Sequence, residues 1–249
     1  MKKKIVMLIA AAMMTLSASS AFAAFGDLEL IRVVYERTTG STETLTDLGN
    51  VSSVLATGGT FAGTGALTAT TSANLAVAYF ALDSTNGQLW ATSKTGQSLG
   101  DLTTISSGTF NLYTYYNATT GVKTTKGITT TGQAFGVGSQ SAANSYKSKL
   151  SAAAGSLGGA LPINSAESSL GSLVGANSGS VTQNLYFWAN GYASVAADYT
   201  GALAATITTS FNGTTTIAPV ATTPIPPAFF LMGSGLLGMF GLRRKNKVA

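Results

Sequence analysis

The chain contains no cysteine and no histidine. Without thiols it has neither disulfides nor a thiolate nucleophile, so an exported form must rely on burial and backbone hydrogen bonding for stability. Without imidazole it lacks the commonest general base and the commonest transition-metal ligand, and a Ser-His-Asp triad is impossible. Charge is scarce too: charged residues make up 9% of the chain, against about 25% in an ordinary soluble domain. The formal net charge of +5 comes from the two ends, Lys2, Lys3 and Lys4 at one and Arg243, Arg244, Lys245 and Lys247 at the other. Between Ala24 and Pro226 seven cations face nine anions, a balance of −2. That middle is no phosphate-tracking surface, and nucleic acid is not an expected partner. No complete G-x-S-x-G, P-loop or dinucleotide fingerprint occurs, Gly136-Val137-Gly138-Ser139 being only a fragment, and no cofactor or metal is implied. Regular long repeats and calcium-binding glycine-aspartate nonapeptides are missing as well.

What is present is punctuated at both ends. Residues 1–23 read as a signal peptide: a lysine-rich start, an apolar run from Ile5 to Leu16, and Ala21-Phe22-Ala23 as a cleavage site before Ala24. The apolar run is shorter than the roughly 20 residues that span a bilayer, so a retained anchor is the weaker alternative. Export by the Sec translocon and cleavage by signal peptidase are expected, with the mature chain starting at Ala24.

Residues 24–218 are long enough for one all-β domain. Ser and Thr supply roughly a quarter of the sequence, which makes its surface polar but uncharged. The run Leu28–Tyr35 places Ile31, Val33 and Tyr35 on one face and Leu28, Leu30 and Val34 on the other, as in a strand buried on both faces or bulged near Arg32. With Thr44–Leu48 it makes a first hairpin. Further strands are predicted at Ala76–Leu82, Leu89–Ser93, Phe110–Tyr116, Leu185–Ala189, Ala202–Thr208 and Thr214–Ala218. Asp83-Ser84-Thr85-Asn86-Gly87 supplies a tight hairpin turn. Ala56–Asn74 and Thr119–Gly138 are low-complexity Thr/Gly/Ala stretches, loops or Thr-rich edge strands. Across about 140–174 the period changes: Ala143, Tyr146, Leu150 and Leu157 share a helical face, Pro162 breaks it, and Asn164 with Glu167 forms a capping box for a second short helix. Leu161-Pro162-Ile163-Asn164-Ser165 is a helix-break-helix joint. The class predicted is a single β-sandwich or jelly-roll-like domain with a short helical insertion.

From Ile217 onward the chain carries a Pro-rich spacer (219–228), a short glycine-punctuated apolar segment (229–242) and a basic tail (243–249). The prolines keep the spacer extended and open to an enzyme. The apolar segment is near the lower limit for a spanning helix, and Arg243, Arg244 and Lys245 mark its cytoplasmic side. The motif Pro224-Ile225-Pro226-Pro227-Ala228, followed by Gly233-Ser234-Gly235-Leu236-Leu237-Gly238 and the basic cluster, resembles the PEP-CTERM sorting signal in its Val-Pro-Leu-Pro-Ala variant. It departs from that family in Ile225 and Pro227. The resemblance covers about the last 25 residues and implies processing by exosortase, an inner-membrane cysteine peptidase. It further implies a Gram-negative source, transient anchoring in the inner membrane, and a final place at the cell surface or in an exopolysaccharide or biofilm matrix. A plain, uncut tail anchor is the alternative.

Candidate chemistry in the middle is thin. Asp83, Asp101, Glu167 and Asp198 could pair as glycosidase carboxylates, although turn and cap roles explain Asp83 and Glu167. Tyr113, Tyr115, Tyr116, Tyr186, Phe187, Trp188 and Tyr192 could stack on sugar rings if a row of them faces solvent; core packing is the competing reading. Asn50, Asn117 and Asn212 stand in glycosylation sequons, which chance supplies in so Ser/Thr-rich a chain. The expectation is therefore a non-enzymatic surface or matrix protein with no catalytic residues. The alternative is a secreted carbohydrate-binding or carbohydrate-processing module.

Overall fold

A computed structural model describes residues 25–38, 40–63, 74–95, 100, 102–118, 125–128, 133–151, 157–158, 160–161, 165–189 and 200–220. The signal-peptide residues Ala21, Ala23 and Ala24, the motif Pro224–Ala228 and the basic cluster Arg243, Arg244 and Lys245 lie outside the described residues. Among the described residues no helix is long and apolar enough to cross a membrane. The described part is mostly β and its strands pair antiparallel throughout.

The first hairpin forms as expected from β1 (Glu29–Glu36) and β2 (Thr42–Asn50). Strand β1 is buried on both faces, with its register shift between Glu29 and Ile31, one turn of the pleat earlier than the bulge expected near Arg32. Next come α1 (Val51–Thr57), capped by Asn50, and β3 (Gly59–Phe61). The hairpin of β4 (Leu75–Asp83) and β5 (Gln88–Ser93) closes as its Asn-Gly signal predicted. Asp83 Oδ1 accepts from the Thr85 and Asn86 N–H groups, 3.0 Å each, and Gly87 takes the positive φ of 65° that ends the turn. Those bonds, led by the Asn86 amide, hold the Asp83 carboxyl below its ordinary range.

The predicted strand at Phe110–Tyr116 is instead part of α2 (Leu102–Asn117). Ile105, Leu112, Tyr113 and Tyr116 recur at spacings of three, four and seven, and all are buried, while Phe110 is 71% exposed. A seven-residue window holds too few of those repeats to separate the two periods. The low-complexity stretch that follows contributes β6 (Thr125–Ile128) and β7 (Ala134–Ser139). Glycine in β7 has a packing cause: a Cβ on Gly136 would lie 2.5 Å from the Tyr116 ring, and one on Gly138 would lie 2.8 Å from those of Tyr115 and Tyr116. The rings of α2 rest on bare backbone.

The expected helical insertion is described only in part. It keeps α3 (Tyr146–Lys149), capped by Ser145, and α4 (Gly171–Ala176), but Glu167 belongs to β8 (Glu167–Ser169) instead of a capping box. Pro162 and Asn164 lie outside the described residues. Strands β9 (Ser180–Trp188), β10 (Ala202–Ser210) and β11 (Thr215–Pro219) are the last elements among the described residues.

All the strands belong to one sheet, in the order β3-β11-β10-β9-β5-β4-β1-β2-β7-β6, with β8 beside β4. Laid flat, β11 and β1 would stand about 24 Å apart at the usual strand spacing. Yet Arg32 on β1 donates to Thr215 Oγ1 at 2.8 Å and to Gly213 O at 2.6 Å, and Tyr79 on β4 meets Thr209 and Thr215 at 2.6 and 2.7 Å. The sheet therefore curls until β10 and β11 lie over β4 and β1. Leu30, Val34, Tyr79, Leu185, Ile207 and Ile217 pack inside the curl. The opposite face, with Ile31, Val33, Tyr35 and Phe80, is covered by α2, α3 and by Leu157, Ala160 and Leu161.

Candidate functional site

The sheet forks at β4. One edge of β4 pairs with β1 along its length, but the other is shared: Phe80–Asp83 face β5, and Ala76–Ala78 face β8. At the branch the Thr92 hydroxyl enters the ladder, donating to Ala166 O at 2.6 Å and accepting from the Tyr79 N–H at 3.2 Å. A β-branched residue whose side chain mimics a backbone partner can end one pairing and start another. Beyond Thr92 strand β5 stays with β9, pairing Ser93 with Asn184, while β8 stays with β4.

The gap between the two branches is a cleft of about 540 Å³, lined by Ser93, Thr95, Glu167, Ser168, Gln183 and Asn184 among others. Two buried polar atoms on its wall have no hydrogen-bond partner, Ser93 Oγ and Gln183 Oε1. Both residues are 8% exposed. The amide nitrogen of Gln183 is spent on Ala166 O at 3.4 Å. Leaving such atoms unpaired costs about 1–3 kcal/mol each.

Glu167 forms one wall, but its carboxylate is committed elsewhere. It accepts from Tyr35 Oη at 2.7 Å, Arg37 Nε at 3.1 Å and Tyr146 Oη at 3.1 Å. Tyr146 also links it to a second buried acid, since its own N–H donates to Glu43 Oε1 at 2.5 Å. Glu43 further accepts from the Lys147 N–H and Tyr116 Oη. Burial nonetheless pushes the Glu43 carboxyl up to about 7, against the pull of those donors. Each acid is thus held by donors from the fold.

Of the carboxylates that the sequence suggested as a pair, Asp101 and Asp198 lie outside the described residues. Asp83 and Glu167 are not brought together: Glu167 is in register with Ala78, five residues along β4 from Asp83, or about 17 Å at the usual rise per residue. A glycosidase pair needs about 5–9.5 Å. Among the described residues no group of three or more acids could hold a metal ion.

The aromatic residues went to the core. Tyr113, Tyr115, Tyr116, Tyr186 and Trp188 are buried in the helix-covered face, and Phe187 stacks on Trp90 with centroids 4.7 Å apart. Tyr192 lies outside the described residues. The three sequon asparagines also have structural work: Asn50 caps α1, Asn117 exchanges two hydrogen bonds with the Phe25 backbone, and Asn212 accepts from the Thr214 N–H.

One feature of the surface beside the cleft was not expected. On the outer face of four neighbouring strands, Thr182, Thr208, Thr216 and Thr60 stand directly opposite one another in register. Their hydroxyls pair at 3.3 Å between Thr182 and Thr208 and again between Thr60 and Thr216. A second rank begins with Asn184 opposite Thr206. The alternation of Thr206 and Thr208 around Ile207 was the available signal, but the register that aligns four strands is set by tertiary pairing.

Comparison with protein-family models, with curated proteins and with solved structures gives no match. The class that the coordinates define is a mostly β protein built on one curled antiparallel sheet.

Proposed function

We propose that the chain is an exported, non-enzymatic protein of the bacterial surface or extracellular matrix, sorted through its C-terminal tail by an exosortase-like peptidase. The observation that carries this reading is the order of the last segments: Pro224-Ile225-Pro226-Pro227-Ala228, a short glycine-rich apolar run, and Arg243-Arg244-Lys245. The Sec translocon and signal peptidase act first, at Ala21-Phe22-Ala23, and the inner membrane holds the tail until the Pro motif is engaged. In this reading residues 24–218 are a sandwich-like extracytoplasmic domain, and exopolysaccharide is its partner in the matrix. Saturation of Glu43 and Glu167 by donors of the fold supports the non-enzymatic part.

The experiment is mass spectrometry of surface protein from wild type and from a Pro224→Ala/Pro226→Ala variant. Sorting predicts a surface form lacking residues from Phe229 on, and a longer, membrane-trapped form in the variant. A full-length peptide through Leu242 at equal abundance in both leaves a simple tail anchor. The second reading, a secreted carbohydrate-binding module on the same route, is favoured by one observation, the polar cleft at the fork.

A further inference from the structure

We infer that the fork cleft and the threonine ranks beside it form one binding surface for a linear, uncharged, hydroxyl-rich chain, that is, a neutral glycan. The inference rests on the exported-surface reading for where such a chain is met, while the binding itself is a property of the sheet. The first support is the pair of unpartnered atoms. Ser93, Thr95, Ser168, Thr182 and Asn184 bring hydroxyls and an amide to the cleft beside Glu167 and Lys94, and Ser93 Oγ and Gln183 Oε1 are unpartnered just beneath that lining. Alternating donors and acceptors are what sugar hydroxyls complement.

Continuity is the second support. Thr182 and Asn184 line the cleft and also begin the two ranks on β9. From Thr182 the first rank runs across β10, β11 and β3 to Thr60, three strand spacings, or about 14 Å. A ligand unit in the cleft can therefore continue as an extended chain over exposed or half-buried hydroxyls without leaving the surface. Neither rank contains a charged residue, and the cleft's carboxylate, Glu167, is already neutralised by Arg37 at 3.1 Å. Among the described residues that line the cleft, Lys94 is the one cation that could meet a polyanion. The chemistry thus selects an uncharged chain, and the lack of exposed rings on these ranks selects recognition by hydroxyls over stacking.

The test is titration of the purified exported protein with cellohexaose, chitohexaose, maltohexaose and an oligogalacturonate, read by calorimetry and by NMR. At least one neutral hexasaccharide should bind, the oligogalacturonate should bind no more tightly, and the perturbed signals should include Thr182 and Asn184. Thr208→Val with Thr216→Val removes two hydroxyls without changing shape, and should weaken binding by roughly tenfold, about threefold for each lost bond. Gln183→Leu should weaken it similarly, and Asn184→Ala, at a half-buried site, provides a cleft variant that keeps the fold. Failure of all three neutral hexasaccharides to bind at millimolar concentration overturns the inference. So does tighter binding of the oligogalacturonate, or a self-association of the protein that the Thr208→Val/Thr216→Val change abolishes. The assay contains no sorting step, so a protein that binds but keeps its tail sustains this inference while the sorting proposal falls, and the reverse holds for a sorted protein that does not bind.

Discussion

The two faces of the sheet bury charge in opposite ways. On the face under α2 and α3 the buried groups are acids, among them Glu43 and Glu167, and each of these two is met by several tyrosine, backbone or arginine donors. Inside the curl the buried group is a cation, Arg32, with no exposed surface and, among the described residues, no carboxylate against its guanidinium. It donates to Gly213 O, Ala62 O, Thr215 Oγ1 and Thr46 Oγ1, all neutral, and its Nε has no partner. Burial lowers its pKa from the usual guanidinium value, though such a group stays charged in practice. The helix face is therefore held by local networks that a helix can bring with it. The curled face is pinned by two long side chains that reach to the β10–β11 end of the sheet, Arg32 from β1 and Tyr79 from β4.

The largest expected effect breaks the Arg32 pin. Arg32→Ala empties a large buried volume and strands Gly213 O and Ala62 O, and should cost about 4–5 kcal/mol. Arg32→Met keeps most of the volume and removes the cost of burying a charge, so the loss should fall to about 2 kcal/mol. Urea denaturation of the two variants checks the difference. Equal losses would mean that the charge itself, instead of the span across the curl, holds the sheet closed.

The next effect sharpens the comparison on the helix face through pH. Burial raises the folded pKa of Glu43 from the ordinary 4.5 to about 7. A raised carboxyl binds a proton more tightly when folded, so its contribution favours the fold below about pH 4.5. That contribution is lost as pH rises toward about 7, on the order of 3 kcal/mol in total. Glu29, raised to about 7 by burial and by Asp47 beside it, works in the same direction. Stability measured by urea should therefore be greater at pH 5 than at pH 8, and Glu43→Gln should flatten the slope. A stability that rises across that window would show the tyrosine and backbone donors outweighing burial.

Much of this architecture was legible in the residues, and unevenly so. The strands β1, β4, β5, β9, β10 and β11 follow from short apolar and β-branched runs, and the β4–β5 turn from its Asn-Gly pair, because each signal is local. Helix α2 was misread since Tyr113, Tyr115 and Tyr116 crowd a short window in which β-propensity outweighs period. Strand β7 was hidden in a glycine-rich stretch whose composition answers to the rings of α2, a contact made only in three dimensions. Of the candidate site, Glu167 was singled out for the wrong reason, as a helix cap. Ser93 and Gln183 carried no signal, because a fork in a sheet is a matter of which strand edges meet, and the threonines showed their alternation along one strand but not the register that aligns four.

A smaller effect follows from β7 itself. Gly136→Ala would bring a Cβ to 2.5 Å from Tyr116 Cδ1, and Tyr116 is also tied to Glu43 at 2.9 Å. The ring cannot withdraw without loosening that bond, so the substitution should cost about 1–3 kcal/mol, as overpacking does. Thermal melts should show it, together with a change in the tyrosine near-ultraviolet signal. An unchanged melt would mean that α2 slides freely on the sheet.

The smallest effect concerns a surface that belongs to neither core. Thr208 lies on the outer face of β10, and its bond to Thr182 is exposed at 3.3 Å. Threonine and valine share shape and strand preference. Thr208→Val should therefore change stability by no more than about 0.5 kcal/mol, the usual range for surface sites. Thr215→Val, seven residues away in sequence but inside the curl, removes a hydroxyl that serves both Arg32 at 2.8 Å and Tyr79 at 2.7 Å, and should cost about 1–3 kcal/mol. Measured side by side in urea, the two variants differ in the same chemical change and in nothing else but the face of the sheet. If both destabilise alike, the outer threonines help to hold the fold, and their alignment needs no ligand to account for it. If only Thr215→Val destabilises, the outer ranks are free of a folding role, and the four aligned hydroxyls are left for whatever lies against them.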